Sequence, residues 1–336
     1  AFCGPCFGAG DVPFNGGFSI RHTTRNFSNR EGSDPNKKQM ASAALMDAQS
    51  IAATSVNGGF LTPATDFDGE FKEYKYWFNP KMYEERVLNC FGKPEPQTEI
   101  VKGPGIGDIP QIPELRENIL LKCTAFITDP VTTTDELIPN GESSSYRSNF
   151  EKIADYTLSA KVPEYVGRCK KVRAWQEKLT NGENPFLSEP ELMQAAADLK
   201  ANGVEIDPAD TCVGSLLYAN RPGDGSAREY AASNQKVLGG WANICRQYAT
   251  KRYRSNLINW GVLPFTYQGN LTFGVGDTIW IPHVRSALLN GESLLKAYVV
   301  SGDGLKEMEL SLDQLTDKER TIISEGCLIN YYKHGN

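Results

Sequence analysis

Between residues 76 and 115 the backbone is interrupted again and again. Pro80, Pro94, Pro96, Pro104, Pro110 and Pro113 stand among Gly103, Gly105 and Gly107. Each proline fixes φ and removes an amide donor, and each glycine adds conformational freedom that folding must remove, so neither a long helix nor a central strand runs through this stretch. It is too long for an ordinary loop inside one compact body. A domain boundary is therefore expected here, with regions 1–75 and 116–336 joined by a linker at 76–115. The length of 336 residues suits two domains of roughly 100–200 residues each, and 40% apolar residues suffice for a core in each.

Around this break the patterning is mixed α/β. Small and apolar residues from Gln39 to Thr54 (Ala41, Ala44, Leu45, Ala48, Ile51, Ala52) recur at helical spacing. Beyond the linker, strand-like runs cover Ala125–Thr128, Val213–Ala219, Thr278–Ile281 and Leu295–Val300, and helical signals cover 189–202 and 226–238. The net charge of −6 disfavours general nucleic-acid or anionic-membrane binding, while a small anion can still enter a locally basic pocket. No run approaches the ~20 apolar residues that span a bilayer, and no signal peptide is evident. The sequence opens at Ala1 without a methionine and with a dense motif under way, so further residues are expected upstream.

Eight cysteines are present, and six of them (Cys90, Cys123, Cys169, Cys212, Cys245, Cys327) are scattered singly. That pattern reads as reduced, buried thiols in an intracellular, reducing compartment, cytoplasm or mitochondrial matrix, and not as a disulfide framework. Cys3-Gly4-Pro5-Cys6 differs. Two thiolates three positions apart across a Gly-Pro turn can bind one metal centre; a redox disulfide or a zinc half-site are the alternatives.

Three further segments carry chemistry. Arg25 and Arg30 sit among small polar residues before a helix, where guanidinium forks suit a carboxylate-rich ligand; a solvated loop with surface ion pairs is the other reading. Gly223-Asp224-Gly225-Ser226-Ala227-Arg228-Glu229 reads as a strand, a glycine loop and a helix start. Ser226 falls at the expected N-cap, where a hydroxyl and free amides face an anion or simply cap the helix. Thr133-Thr134-Asp135-Glu136 offers a carboxylate in a polar turn, with Arg147 twelve residues beyond Asp135. The basic run Lys251-Arg252-Tyr253-Arg254 reads as a helix face or pocket rim.

Taken in order, these motifs resemble the aconitase and isopropylmalate isomerase family over essentially the whole chain. Cys3-Gly4-Pro5-Cys6 resembles the cluster motif, and Thr24-Arg25-Asn26-Phe27-Ser28-Asn29-Arg30 the Asn-Arg-Asn-Phe-x-Gly-Arg motif. Thr133-Thr134-Asp135-Glu136 resembles the Thr-Asp-His turn, and Gly223 to Glu229 the Gly-Glu-Gly-Ser-Ser-Arg-Glu loop. Arg254-Ser255-Asn256-Leu257 through Gly261-Val262-Leu263-Pro264-Phe265 resembles the Asn-Leu to Gly-Leu-Leu-Pro segment. Ala227 stands in place of a second serine, Glu136 in place of histidine and Thr24 in place of asparagine, a pattern closer to the hydratase-like branch.

The resemblance implies an α/β fold: the remnant of an iron–sulfur α/β/α domain, a linker, and a β/β/α swivel domain. It implies a hydro-lyase that reversibly dehydrates a hydroxy di- or tricarboxylate on a [4Fe-4S] cluster. Cys3 and Cys6 would be metal ligands, with a third cysteine expected upstream. Ser226 and Asp135 would be catalytic, and Arg25, Arg30, Arg147, Arg228 and Ala227 would contact substrate. The isolated chain is then expected to be inactive. The competing expectation is a non-catalytic relative that senses iron or binds RNA or a protein partner.

Overall fold

The computed structural model describes residues 2–3, 19–21, 43–70, 73, 75–84, 92–99, 101–103, 105–139 and 143–335. The chain divides into two compact units, residues 1–101 and 102–336.

In the first unit three short strands, β1 (Phe2–Cys3), β2 (Ser19–Arg21) and β3 (Ala43–Leu45), pair in parallel in that order. Helix α1 (Ala48–Val56) follows. The helix expected from Gln39 thus begins later, and Ala43–Leu45 is strand. Asp47 sets the start: its backbone is extended at φ −69° and ψ 163°, and its carboxylate accepts from Ser50 N at 2.9 Å and Ser50 Oγ at 2.7 Å. Small apolar residues fit both periodicities, and the cap decides which segment is helical. A single turn, α2 (Lys81–Glu84), lies further on.

The second unit is built on a closed barrel. Strands β4 (Asn118–Ile127), β6 (Thr211–Ala219), β8 (Gly240–Cys245) and β9 (Leu263–Thr266) are mutually parallel neighbours. The circuit closes through antiparallel β12 (Gly304–Ser311), β11 (Leu294–Ser301) and β10 (Thr278–Ile281), which returns to β4. Every residue of β6 is buried, as expected of a parallel strand covered on both faces. On β4 the residues alternate between cores. Ile119, Leu121 and Cys123 join Leu216, Tyr218, Ile279, Ala297 and Leu310 in one cluster, whereas Leu120 packs with Val172, Trp175, Leu192 and Leu199.

Those last four residues lie on helices α5 (Tyr165–Thr180) and α6 (Pro190–Ala201). A third cluster joins Leu217 and Ala219 of β6 to α7 (Arg228–Val237) and α8 (Lys251–Asn259) through Ala231, Ala232, Tyr253 and Leu257. The basic run from Lys251 is the outer face of α8: Lys251 and Arg252 are exposed and Tyr253 is buried. Gly214 of β6 is required by close approach, since a Cβ there would stand 2.1 Å from the Trp241 ring. Short helices α3 (Thr134–Leu137), α4 (Phe150–Ala154), α9 (Val284–Leu289), α10 (Asp317–Ser324) and α11 (Leu328–Lys333) are the remaining described α-helices. The unit is therefore α/β, and among the described residues no helix is long and apolar enough to cross a membrane.

Candidate functional site

Two loops that are distant in sequence are fastened together beside the barrel. Strand β5 (Thr132–Thr133) pairs in parallel with β7 (Pro222–Asp224), Thr132 opposite Pro222 and Thr133 opposite Asp224. Just beyond this ladder, Ala227 N donates to Thr134 Oγ1 at 3.3 Å. Gly225 makes the approach possible. Its φ is +126°, and a Cβ there would lie 2.2 Å from Thr134 Oγ1. Gly223 is held from the other side, its carbonyl accepting from Thr250 Oγ1 at 3.0 Å.

This clamp brings Asp135, in the single turn α3, to the loop that carries Ser226, Ala227 and Arg228. Arg147 follows the 3-10 turn Ser144–Tyr146 and is exposed; its carbonyl accepts from Tyr230 Oη at 3.3 Å, one turn into α7. Four elements thus converge on the amino end of α7. Ser226 is exposed, while Ala227 and Arg228 are half-buried. The N-cap is Ala227, not Ser226 as the sequence suggested. Ala227, at φ −81° and ψ 41°, has no polar side chain with which to cap α7. The positive end of the α7 dipole favours an anion at this position. Glu229, in the first turn, is held away by Trp260 Nε1 at 2.6 Å and by Asn256.

Glu136 has a structural role. Its carboxylate accepts from Thr133 N at 2.7 Å and Thr133 Oγ1 at 3.0 Å, and Thr133 Oγ1 accepts from Glu136 N, a reciprocal capping box. Lys161 pairs with it at 2.8 Å and with Asp129 at 2.8 Å. Burial pushes the carboxyl up, but the Lys161 ammonium and the Thr133 amide and hydroxyl outweigh burial and hold it below its ordinary value. A carboxyl depressed in the folded state contributes stability above its unfolded pKa, and that contribution is lost as the pH falls through the folded value. Glu136→Gln is therefore expected to cost about 1 kcal/mol at pH 7. Its acid-unfolding profile below pH 5 should be flatter than the parent's, as read by chemical denaturation at each pH.

The described cysteines, Cys123, Cys169, Cys212, Cys245 and Cys327, are free and buried. Burial pushes Cys123 and Cys245 up to about 12, so these are protonated thiols packed in the core, not poised metal ligands. Of the remaining candidates, Cys3 lies in β1 and nothing is described of its side chain, while Cys6, Arg25 and Arg30 fall outside the described residues. Sequence reading passed over Thr134, whose hydroxyl joins the two loops. The signal available was its place directly before Asp135 in a Thr-Thr-Asp turn.

Residues 215–270, the segment from β6 to just beyond β9 that contains Ser226 and Arg228, match the family model of the aconitase C-terminal domain. The chain is 30% identical over 312 residues to aconitate hydratase A of Rickettsia felis, covering 85% of this chain and 32% of that protein. It is 32% identical over 150 residues to the mitochondrial aconitate hydratase of Aspergillus fumigatus, covering 44% of this chain and 16% of that protein. The chain thus spans a third or less of the length of these curated relatives. A 3-isopropylmalate dehydratase structure from Methanocaldococcus jannaschii superposes on 65% of this chain and 94% of that chain at 20% identity with a TM-score of 0.39, too low to bear on the fold. The family-model match and the curated relatives thus make this chain similar to aconitases, and they support the aconitase family for it.

Proposed function

We propose that the second unit is the swivel half of a hydro-lyase that adds or removes water at a hydroxy di- or tricarboxylate. The observation that supports this most is the clamped loop pair, which brings the segments of Asp135, Ser226 and Arg228 to the amino end of α7. In this reading Arg228 and Arg147 neutralise substrate carboxylates, and the α7 amides receive a carboxylate or the developing enolate charge. Ser226 takes the proton alpha to a carboxylate. A serine hydroxyl is far too weak an acid for this unaided, so the helix dipole and the neighbouring Arg228 must favour its alkoxide. Asp135 serves as the acid–base partner on the facing loop. Arg25 and Arg30 are proposed as further carboxylate ligands on motif grounds alone.

A [4Fe-4S] cluster held by Cys3 and Cys6, with a third thiolate that none of the five described core cysteines supplies, would provide Lewis-acid activation of the leaving hydroxyl. The experiment is a rate measurement on a panel of hydroxy di- and tricarboxylates, using the full assembly with its cluster reconstituted anaerobically. Formation of the conjugated double bond is followed in the ultraviolet. Dehydration of at least one substrate is expected; no turnover on any member of the panel, with the cluster spectrum intact, would contradict the proposal and favour a non-catalytic relative.

A further inference from the structure

Another feature of the second unit lies away from the α7 loop. A cavity of about 370 Å³ is lined by the chain at 110–113, by Arg173, Gln176, Glu177, Thr180 and Asn181 of α5 and its end, and by Lys236 and Trp241. Thr180 and Asn181 are exposed, so the cavity opens to solvent at that end. Lys236, on the last turn of α7, is almost wholly buried at 5% exposure. Its Nζ lies 3.2 Å from the centroid of the Trp241 ring and donates to the Gly261 carbonyl at 3.1 Å. Among the described residues it has no carboxylate partner; the titratable groups that act on it are the thiols of Cys212 and Cys327. The ring face favours the ammonium form and burial opposes it. Burial pushes the amine down to about 7 against the opposing Cys212 and Cys327 thiols, which favours the neutral form with its lone pair.

We propose that Lys236 is the nucleophile of a carbonyl-capturing site, and that this cavity takes a small, uncharged hydroxyaldehyde. The Nζ lone pair forms a bond to the carbonyl carbon. The two amine protons pass to the carbonyl oxygen, the C–O bond breaks, and water leaves as the imine forms. No oxidant or reductant is needed. The cavity is within the range of roughly 300–1,000 Å³ that holds small ligands. The Asn181 amide offers a partner for a ligand hydroxyl, while the Thr180 hydroxyl donates to the Gln176 carbonyl at 3.0 Å and Gln176 Oε1 accepts from Val213 N at 2.8 Å. Charge selects against an anion. Arg173, the cation beside the cavity, is already bound to both oxygens of Glu151 at 2.8 and 2.9 Å, to Glu177 at 2.8 Å and to the Val237 carbonyl at 3.0 Å.

The test is reductive trapping of the intact chain at pH 7 with glyceraldehyde and cyanoborohydride, followed by peptide mass mapping. Lys236 is expected to be labelled at least ten-fold faster than Lys170 and Lys171, which are 51% and 58% exposed. Glyoxylate at the same concentration should show no such preference, and guanidinium should abolish it. Labelling that follows exposure, a preference that persists in guanidinium, or equal preference for glyoxylate would each overturn the proposal.

Discussion

Ser226→Ala is expected to lower turnover by about a thousand-fold, within the range of 10²–10⁴ for a positioned general base. Thermal stability and the cluster spectrum should stay close to those of the parent. The separation of these effects follows from position. Ser226 is exposed and lies outside α7, whose cap is Ala227, so its hydroxyl does not hold the helix in place. Removing an exposed hydroxyl away from such features usually changes stability by no more than about 0.5 kcal/mol. A catalytic serine therefore loses kcat with little change in melting, whereas a structural serine would lose melting temperature first. Turnover within ten-fold of the parent would remove the base assignment.

Gly225→Val is expected to act in the opposite order, lowering stability by roughly 2–5 kcal/mol and taking activity with it. Two costs combine. The backbone sits at φ +126°, which a β-branched residue scarcely adopts, and the new Cβ would overlap Thr134 Oγ1. Relief requires β5 and β7 to part, which breaks the short ladder that sets Asp135 beside Ser226 and Arg228. The double variant Gly225→Ala with Thr134→Ala separates clash from strain. It should recover part of the lost stability because the oxygen in the way is gone, although φ remains unfavourable. Chemical denaturation of the three proteins reads this directly. A Gly225→Val protein as stable as the parent would show that the loops are not clamped.

Legibility in the sequence followed local order. The strand run Thr278–Ile281 coincides with β10, and Val213–Ala219 lies within β6, because apolar residues bounded by turns admit few other structures. Helix α6 coincides with the 189–202 signal to within one residue at each end. Ala125–Thr128 marked only the last part of β4, since Lys122 interrupts the apolar run while pairing with Glu191 outside the core. Strand β12 escaped notice because Lys306, Glu307 and Glu309 face solvent and leave few apolar positions. Strand β8 carries Asn243, a buried polar residue tolerated because its amide donates to Gln235 Oε1 at 2.9 Å and Gln235 in turn donates to Tyr253 Oη at 2.8 Å.

The candidate site shows the same division. Ser226, Arg228 and Asp135 could each be named from short motifs. The element that joins them, two residues pairing with three some ninety positions away, has no local signature. The meaning of Glu136 was also out of reach, because its partner Lys161, which Asp129 shares, lies on a separate segment.

The most direct test of the site is an amide-resolved NMR titration of the chain with citrate as a tricarboxylate probe. Perturbations are expected at the amides of Ala227–Tyr230 and at residues 133–136, and they should weaken at least ten-fold in an Arg228→Gln variant. Perturbations confined to surface lysines such as Lys170 and Lys171, and unchanged by Arg228→Gln, would contradict the anion site at the amino end of α7.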